Sequence, residues 1–117
     1  MLTLSHKNLE VWKQSIQLVK EIYTCTSKFP KEEIYGLISQ MRRSSISIPS
    51  NIAEGLSRKS TAEKRRFLEI SRSSLVELDT QIEITMELGM NSKSEIENIS
   101  KLSNSIFAML TSLIKKI

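Results

Sequence analysis

The sequence predicts an all-α protein, an antiparallel up-down-up-down four-helix bundle whose second helix is kinked at a proline. Composition points that way, because 3 glycines and 2 prolines among 117 residues are too few for a loop-rich or all-β chain. Apolar residues also recur three and four positions apart through four successive segments, which is typical of amphipathic helices. A chain of this length forms one domain, residues 1–117, around a single core.

The first predicted helix, about residues 8–27, carries apolar residues on two sides. The stripe that we assign to the core contains Leu9, Trp12, Ile16, Val19 and Tyr23. A second stripe, about half a turn round the helix, contains Val11, Leu18, Ile22 and Cys25. Because a helix of a monomeric bundle buries one stripe, we expect the second stripe to form an oligomer interface, rather than a scatter of single surface residues.

The second predicted helix, about residues 31–56, contains Pro49 in its interior. A proline there lacks the backbone N–H and clashes with the carbonyl group of Ser45, at a cost of about 3 kcal/mol in a straight helix. Serines surround the proline, and their hydroxyl groups can donate hydrogen bonds to freed carbonyl oxygens. We therefore expect a kinked helix end that packs closely against a neighbour.

The third and fourth predicted helices, about residues 61–88 and 94–116, have clear starting signals. Each is preceded by a Ser-x-x-Glu capping box, at 60–63 and at 92–95, which satisfies free N–H groups of the first turn. Gly89 supplies the left-handed residue that ends many helices. Short connections between four helices predict antiparallel neighbours.

A line of polar residues follows one side of the second predicted helix. It contains Gln40, Arg43, Ser47, Asn51 and Glu54, and Glu77 of the third helix is a candidate partner. We interpret the line as a hydrogen-bond network or a contact between subunits, with Glu54 paired to Arg43 or Arg58 to fix the register of helices. A reactive site is the less favoured alternative.

Charge is unevenly distributed along the chain. Residues 42–72 carry eight Lys or Arg and three acidic residues, whereas residues 73–100 carry one and six. The predicted nucleic-acid-binding residues are Arg42, Arg43, Arg58, Lys59, Lys64, Arg65, Arg66 and Arg72. Alternatively, the basic end of one subunit meets the acidic end of the next in a head-to-tail ring, or the charges form a solvated face.

The sequence contains no recognisable catalytic motif. It has no glycine-rich phosphate loop, and the single Cys25 and single His6 form neither a disulfide nor a zinc site by themselves. We predict no catalytic residue, metal or cofactor; a hydrolase using Glu54 or Glu77 is a minor alternative without a nucleophile and base pair. With no signal peptide and no long apolar run, we expect a cytoplasmic protein that does not contact a membrane.

Three stretches resemble a known family. "LEVWKQS", "FPKEEIYGLISQMRRSSISIPSNIAEGLSRKS" and "FLEISRSSLVELDTQIEI" are similar to four-helix-bundle proteins encoded in intervening sequences of bacterial 23S ribosomal RNA genes. The family is related to the accessory protein of diversity-generating retroelements. The matching residues are Gly36, Gln40, Arg43, Ser47, Pro49, Asn51, Glu54, Gly55, Arg58, Glu77 and Thr80. The chain departs from the family at Ser73-Ser74, where a glycine often precedes the serine.

The resemblance implies a homopentameric ring, and it does not imply enzyme activity. It also implies RNA or DNA as a partner, and a reverse transcriptase or a ribosomal component as a possible protein partner. We therefore predict a non-enzymatic bacterial pentamer that binds RNA or DNA backbones through its basic residues. The alternative is a ring-shaped protein-interaction scaffold that binds no nucleic acid.

Overall fold

In the computed structural model, which describes all of residues 1–117, the chain forms a bundle of four α-helices and no strands. The helices are α1 (Glu10–Thr26), α2 (Ser39–Leu56), α3 (Thr61–Glu87) and α4 (Glu97–Lys116). Most contacts join α1 to α2 and α4, and α3 to α2 and α4. The molecule measures 44 × 27 × 21 Å. The predicted all-α four-helix class is confirmed.

Helices α2 and α3 share the most extensive interface in the bundle. A Cβ atom on Gly55 would lie 3.0 Å from the Cβ atom of Phe67 and 3.2 Å from the backbone oxygen of Lys64. Farther along, the hydroxyl groups of Ser47 and Ser74 lie 2.8 Å apart. The two helices run in opposite directions through these contacts, and small side chains let them approach closely.

Pro49 lies buried within α2, which continues as an α-helix from Ser39 to Leu56. Polar side chains bind the backbone next to it. The hydroxyl group of Ser71 donates a hydrogen bond to the carbonyl oxygen of Ile48 over 2.8 Å. The side-chain amide of Asn51 donates one to the carbonyl oxygen of Ser47, also over 2.8 Å. A bend of the helix axis at Pro49 stays a prediction.

The core of the bundle corrects the assignment of faces on α1. Val11, Leu18 and Ile22, which we expected to form an oligomer interface, are at most 5% exposed and pack inside the chain's own core. The stripe assigned to the core is instead half exposed: Leu9, Ile16 and Tyr23 are 37–39% exposed. The second stripe of the first helix, rather than the first, therefore supplies its fully buried residues.

The start of the second helix also differs from the prediction. Residues 31–38 form a short 3₁₀ turn, Lys31–Glu33, and a π turn, Ile34–Ile38, before α2 begins at Ser39. Gly36 leaves the helical conformation, with φ −112° and ψ −113°, and the Glu33 carboxylate accepts a hydrogen bond from the backbone N–H of Leu37. The local carboxylate thus replaces part of the α-helical hydrogen bonding that the apolar spacing predicts.

Predicted signals at the remaining helix ends are present. Ser60 accepts a hydrogen bond from the N–H of Glu63, and Ser92 and Glu95 bind each other's backbone N–H groups. The second pair lies in the turn before α4, which begins at Glu97 rather than at the predicted residue 94 and whose N-cap, Ile96, makes no side-chain hydrogen bond. Gly89 has φ +74° and ends α3. The N–H groups of Gly89 and Met90 donate to the carbonyl oxygens of Met86 and Thr85, as in a Schellman motif.

A short 3₁₀ helix, Ser5–Asn8, precedes α1 and folds back onto it. Its His6 is buried, and the imidazole meets the indole ring of Trp12 edge-on, with ring centroids 5.4 Å apart. Both rings line the groove between α1 and α2. The segment before α1 therefore forms one end of that groove.

We expect Gly55→Val to destabilise the protein by about 1–3 kcal/mol, because its side chain would overlap with α3 where the helices are closest. Urea unfolding followed by circular dichroism measures the change. Ala108→Val, at an exposed position on α4, is the control and should change stability by no more than about 0.5 kcal/mol. Equal stability of the two variants would contradict the close contact at Gly55.

Candidate nucleic-acid interface

The eight basic residues predicted to bind nucleic acid do not form one patch. Because Ser44 of α2 donates a hydrogen bond to Glu77 of α3 over 3.1 Å, Arg43 lies at the height of residues 77–79. Arg65 is more than three helical turns away along α3, roughly 20 Å at 1.5 Å per residue. The prediction of a single basic patch over residues 42–72 is therefore corrected.

Arg42 is engaged within the bundle. Its Nε atom donates to the hydroxyl oxygen of Thr26 over 2.9 Å, and its guanidinium group lies 4.3 Å from the centroid of the Tyr23 ring. It therefore ties the start of α2 to the end of α1. Arg43, the next residue, is exposed and makes no hydrogen bond or ion pair with a side chain.

Arg58 and Arg72 are also held by neighbours. Arg58 lies 3.1 Å from Glu54 and 3.8 Å from Glu63, and its guanidinium group stacks 4.9 Å from the centre of the Phe67 ring. The predicted pairing of Glu54 with Arg58 is present, but it joins exposed residues four positions apart at the end of α2 and does not itself link two helices. Arg72 donates to the hydroxyl group of Thr111 over 3.1 Å, which ties α3 to α4.

The other four predicted residues lie at one end of the bundle, where α2 ends and α3 begins. Lys59, Arg65 and Arg66 are exposed, and Lys64 is half-buried with its ammonium group 3.5 Å from the carbonyl oxygen of Leu56. The end of α4 lies beside them, since Arg65 donates to the backbone oxygen of Ile117 over 2.8 Å. This brings two further lysines to the same end, Lys115 and Lys116.

We call this set of six cations the basic end: Lys59, Lys64, Arg65, Arg66, Lys115 and Lys116. None has an Asp or Glu partner, because the ion pairs with these side chains involve only Arg58 and Lys101 as cations. Sequence reasoning missed Lys115 and Lys116. The signal for them was available, since in an up-and-down bundle the fourth helix ends where the third begins.

Two residues of the polar line on α2, Ser47 and Asn51, belong to a structural network. Ser47, Ser74 and Asn51 join in one chain, with the Asn51 amide 2.9 Å from the Ser47 hydroxyl oxygen. Glu77 accepts the hydroxyl group of Ser44. Gln40 is exposed at the start of α2 and outside this network. These side chains bond to one another across the closest helix pair, which supports the structural interpretation of the line over the reactive one.

Cys25 is half-buried near the end of α1, where its thiol lies 3.4 Å from the side-chain oxygen of Asn91. Burial raises the pKa of this thiol above its ordinary value. Fewer thiolates, the reactive form, are therefore present at a given pH. Cys25 contacts the connection before α4 within the same chain rather than standing free on an outer face.

Comparisons with known proteins identify the class to which this bundle belongs. The model of a family described as 23S rRNA-intervening sequence protein matches residues 7–112, so the chain belongs to that family. No match was found among curated proteins.

A solved structure is similar over nearly the whole fold. It is the 1.70 Å crystal structure of a protein with unknown function from the S23 ribosomal protein family of Bacteroides thetaiotaomicron. The TM-score is 0.81 at 24% sequence identity, over 90% of this chain and 95% of that one. This likeness supports the four-helix fold. Separately, none of the helices is both long enough and apolar enough to cross a membrane.

We expect Arg42→Ala to lower the free energy of unfolding by about 1–2 kcal/mol, because it removes a charged hydrogen bond and a cation–π contact between helices. Arg66→Ala, at the unpaired basic end, should change it by no more than about 0.5 kcal/mol. Urea unfolding of both variants measures the difference. Equal losses of unfolding free energy in the two variants would contradict the conclusion that Arg42 is bound by neighbouring residues and Arg66 is not.

Cys25 should react with iodoacetamide at pH 8 more slowly in the folded protein than in the same chain unfolded in urea. The reason is twofold: its pKa is raised, so that less thiolate is present, and the side chain is half-buried. Mass spectrometry of samples quenched over time gives both rates. A folded-state rate equal to the unfolded one would refute the assigned environment.

Proposed function

We propose that the protein is a non-enzymatic oligomer, a pentamer by the family resemblance, that binds RNA or DNA backbones through its basic end. The observation that carries the proposal is the set of six cations gathered from three helix termini without an Asp or Glu partner. Lys and Arg side chains in such a set neutralise phosphates and release counterions. The expected ligand is therefore a polyanion, bound with little sequence preference.

The placement of Arg65 and Arg66 adds to the argument. They lie in the second turn of α3, much closer to the positive end of the helix dipole, which disfavours cations, than to the negative end, which favours them. Helix stability therefore does not account for them. A bound phosphate, in contrast, is favoured both by these side chains and by the positive end of the helix.

The oligomeric part of the proposal is supported by exposed apolar residues on two sides of the chain. Ile16, Tyr23 and Ile46 are 37–42% exposed on α1 and α2. Val76 and Phe107 are 52% and 42% exposed on α3 and α4. Contiguous apolar surfaces of this kind are typical of interaction sites.

The same surfaces favour a second candidate function, a ring-shaped scaffold for another protein, such as a reverse transcriptase or a ribosomal component. In that case the cations of the basic end have no nucleic-acid role. The two functions differ in whether the purified protein binds nucleic acid at all.

Fluorescence anisotropy with a labelled 20-base-pair RNA duplex and the corresponding DNA duplex tests the proposal. We expect binding at low salt whose affinity falls log-linearly as salt rises. The double variant Arg65→Glu/Arg66→Glu should weaken binding at least about tenfold and flatten the salt dependence, because fewer phosphates are neutralised.

Lys13→Glu/Lys20→Glu, on exposed parts of α1, gives the matched control with the same change in net charge. It should retain most of the affinity. An equal loss in both double variants would show that net charge alone drives binding. Absence of binding by the wild-type protein at low salt would favour the scaffold.

A further inference from the structure

The groove between α1 and α2 combines an apolar floor with cations that have no Asp or Glu partner. Its upper part, by which we mean the part beside the end of α1 and the start of α2, is a cavity of about 710 Å³. It is lined by Tyr23, Phe29 and Ile46, and by Lys31, Arg42 and Arg43. The lower part, of about 310 Å³, shares Ile46 and contains Trp12, Ile16 and Pro49. No acidic side chain lines either part. The groove therefore suits an apolar surface that carries carboxylates at its upper end.

The groove between α3 and α4 has the complementary chemistry. It is a cavity of about 260 Å³ whose lining includes Val76, Met86 and Phe107 together with Asp79 and Glu83, and no Lys or Arg. Arg72 lies beside its edge, 5.8 Å from the centre of the Phe107 ring and bonded to Thr111. Asp79 and Glu83 are exposed and have no cation within ion-pair distance in the chain.

The two grooves lie on opposite sides of the molecule. Because α1 packs chiefly on α2 and α4, and α3 packs on the same two helices, the order around the bundle is α1, α2, α3, α4. The groove between α1 and α2 is then opposite the groove between α3 and α4. One copy can therefore offer one groove to each of two neighbours.

The complementary groups also lie at matching heights along the bundle. Since Ser44 contacts Glu77 and Ser47 contacts Ser74, Arg42 and Arg43 are level with residues 78 and 79 of α3. By the same pairing, Ile46 is level with Val76. A neighbour placed alongside without a shift along the helix axes would bring cations to carboxylates and apolar side chains to each other.

We propose that the α1/α2 groove receives the α3/α4 edge of a second copy of this chain, with Arg43 facing Asp79 and Glu83 and with Ile46 packed near Val76. The inference rests on the oligomeric part of the proposed function and adds the two surfaces that meet. Contact between two α1/α2 grooves would instead bring Arg42, Arg43 and Lys31 of both copies together, and like charges in an interface are unfavourable.

The consequences for assembly follow from the two unlike surfaces. A lateral face of 44 by 21 Å is large enough for the roughly 800 Å² that a stable interface takes from each partner. A contact between unlike surfaces leaves one groove of each type open in a dimer, so further copies can add. A ring closes when each copy is also rotated by a constant angle about an axis parallel to the helices and is not shifted along it.

Analytical ultracentrifugation of the full chain, without nucleic acid, tests the inference. The wild-type protein should form one discrete species of three or more subunits. Arg43→Glu, Asp79→Arg and Val76→Asp should each raise the dissociation constant at least about tenfold. The double variant Arg43→Glu/Asp79→Arg, which exchanges the charges, should return to within about threefold of the wild type.

Lys13→Glu, which lies in the separate groove between α1 and α4, is the charge control, and Ile70→Asp, on the outer side of α3, is the apolar control. Both should assemble as the wild type does, and circular dichroism should show every variant folded. Single variants that assemble normally, or a double variant as weak as the single ones, would overturn this interface while leaving nucleic-acid binding intact. A monomeric or dimeric wild-type protein would overturn both this inference and the oligomer proposed above.

Discussion

The close approach of α2 and α3 is the constraint on which the rest of the structure depends. At Gly55 a Cβ atom would lie only 3.0 Å from the Cβ atom of Phe67, and the hydroxyl group of Ser44 donates a hydrogen bond to the carboxylate of Glu77 across the same pair of helices. Small residues and short hydrogen bonds allow one register only, because a shift would bring larger side chains into the contact. This register decides which groups on the two outer sides share a height. It also places the start of α3 at the end of α2, where the basic end is assembled.

Much of the fold could be predicted because it depends on local chemistry. Both capping boxes and the stop at Gly89 are encoded within a few residues, and the apolar spacing of α3 and α4 is unambiguous. The start of α2 could not be predicted in the same way. There the spacing remains helical, but Gly36 leaves the helical conformation and the Glu33 carboxylate binds the backbone in its place.

The exchange of faces on α1 has a different physical cause. Both sides of the helix are apolar, and the side with the larger and more numerous apolar residues is the outer one. The buried side includes Ser15, which is fully buried and satisfies its hydroxyl group locally on the carbonyl oxygen of Trp12. A serine can thus occupy the core of a helix bundle at little cost, and the count of apolar residues does not reveal which side faces inward.

The candidate site was less predictable than the fold, because the sequence does not show which basic side chains are bound by other residues of the folded chain. Arg42 is bound by a residue 16 positions earlier, and Arg65 contacts a residue 52 positions later. Such contacts exist only once the helices are assembled. The basic residues of 42–72 therefore look alike in the sequence and have different roles in the structure.

The single tryptophan of the chain is half-buried in the groove between α1 and α2, against the edge of His6. No other indole contributes to the emission of the protein. The wavelength of that emission reports the polarity of this groove. The protein thus contains its own optical probe of the surface, with no label to disturb the packing.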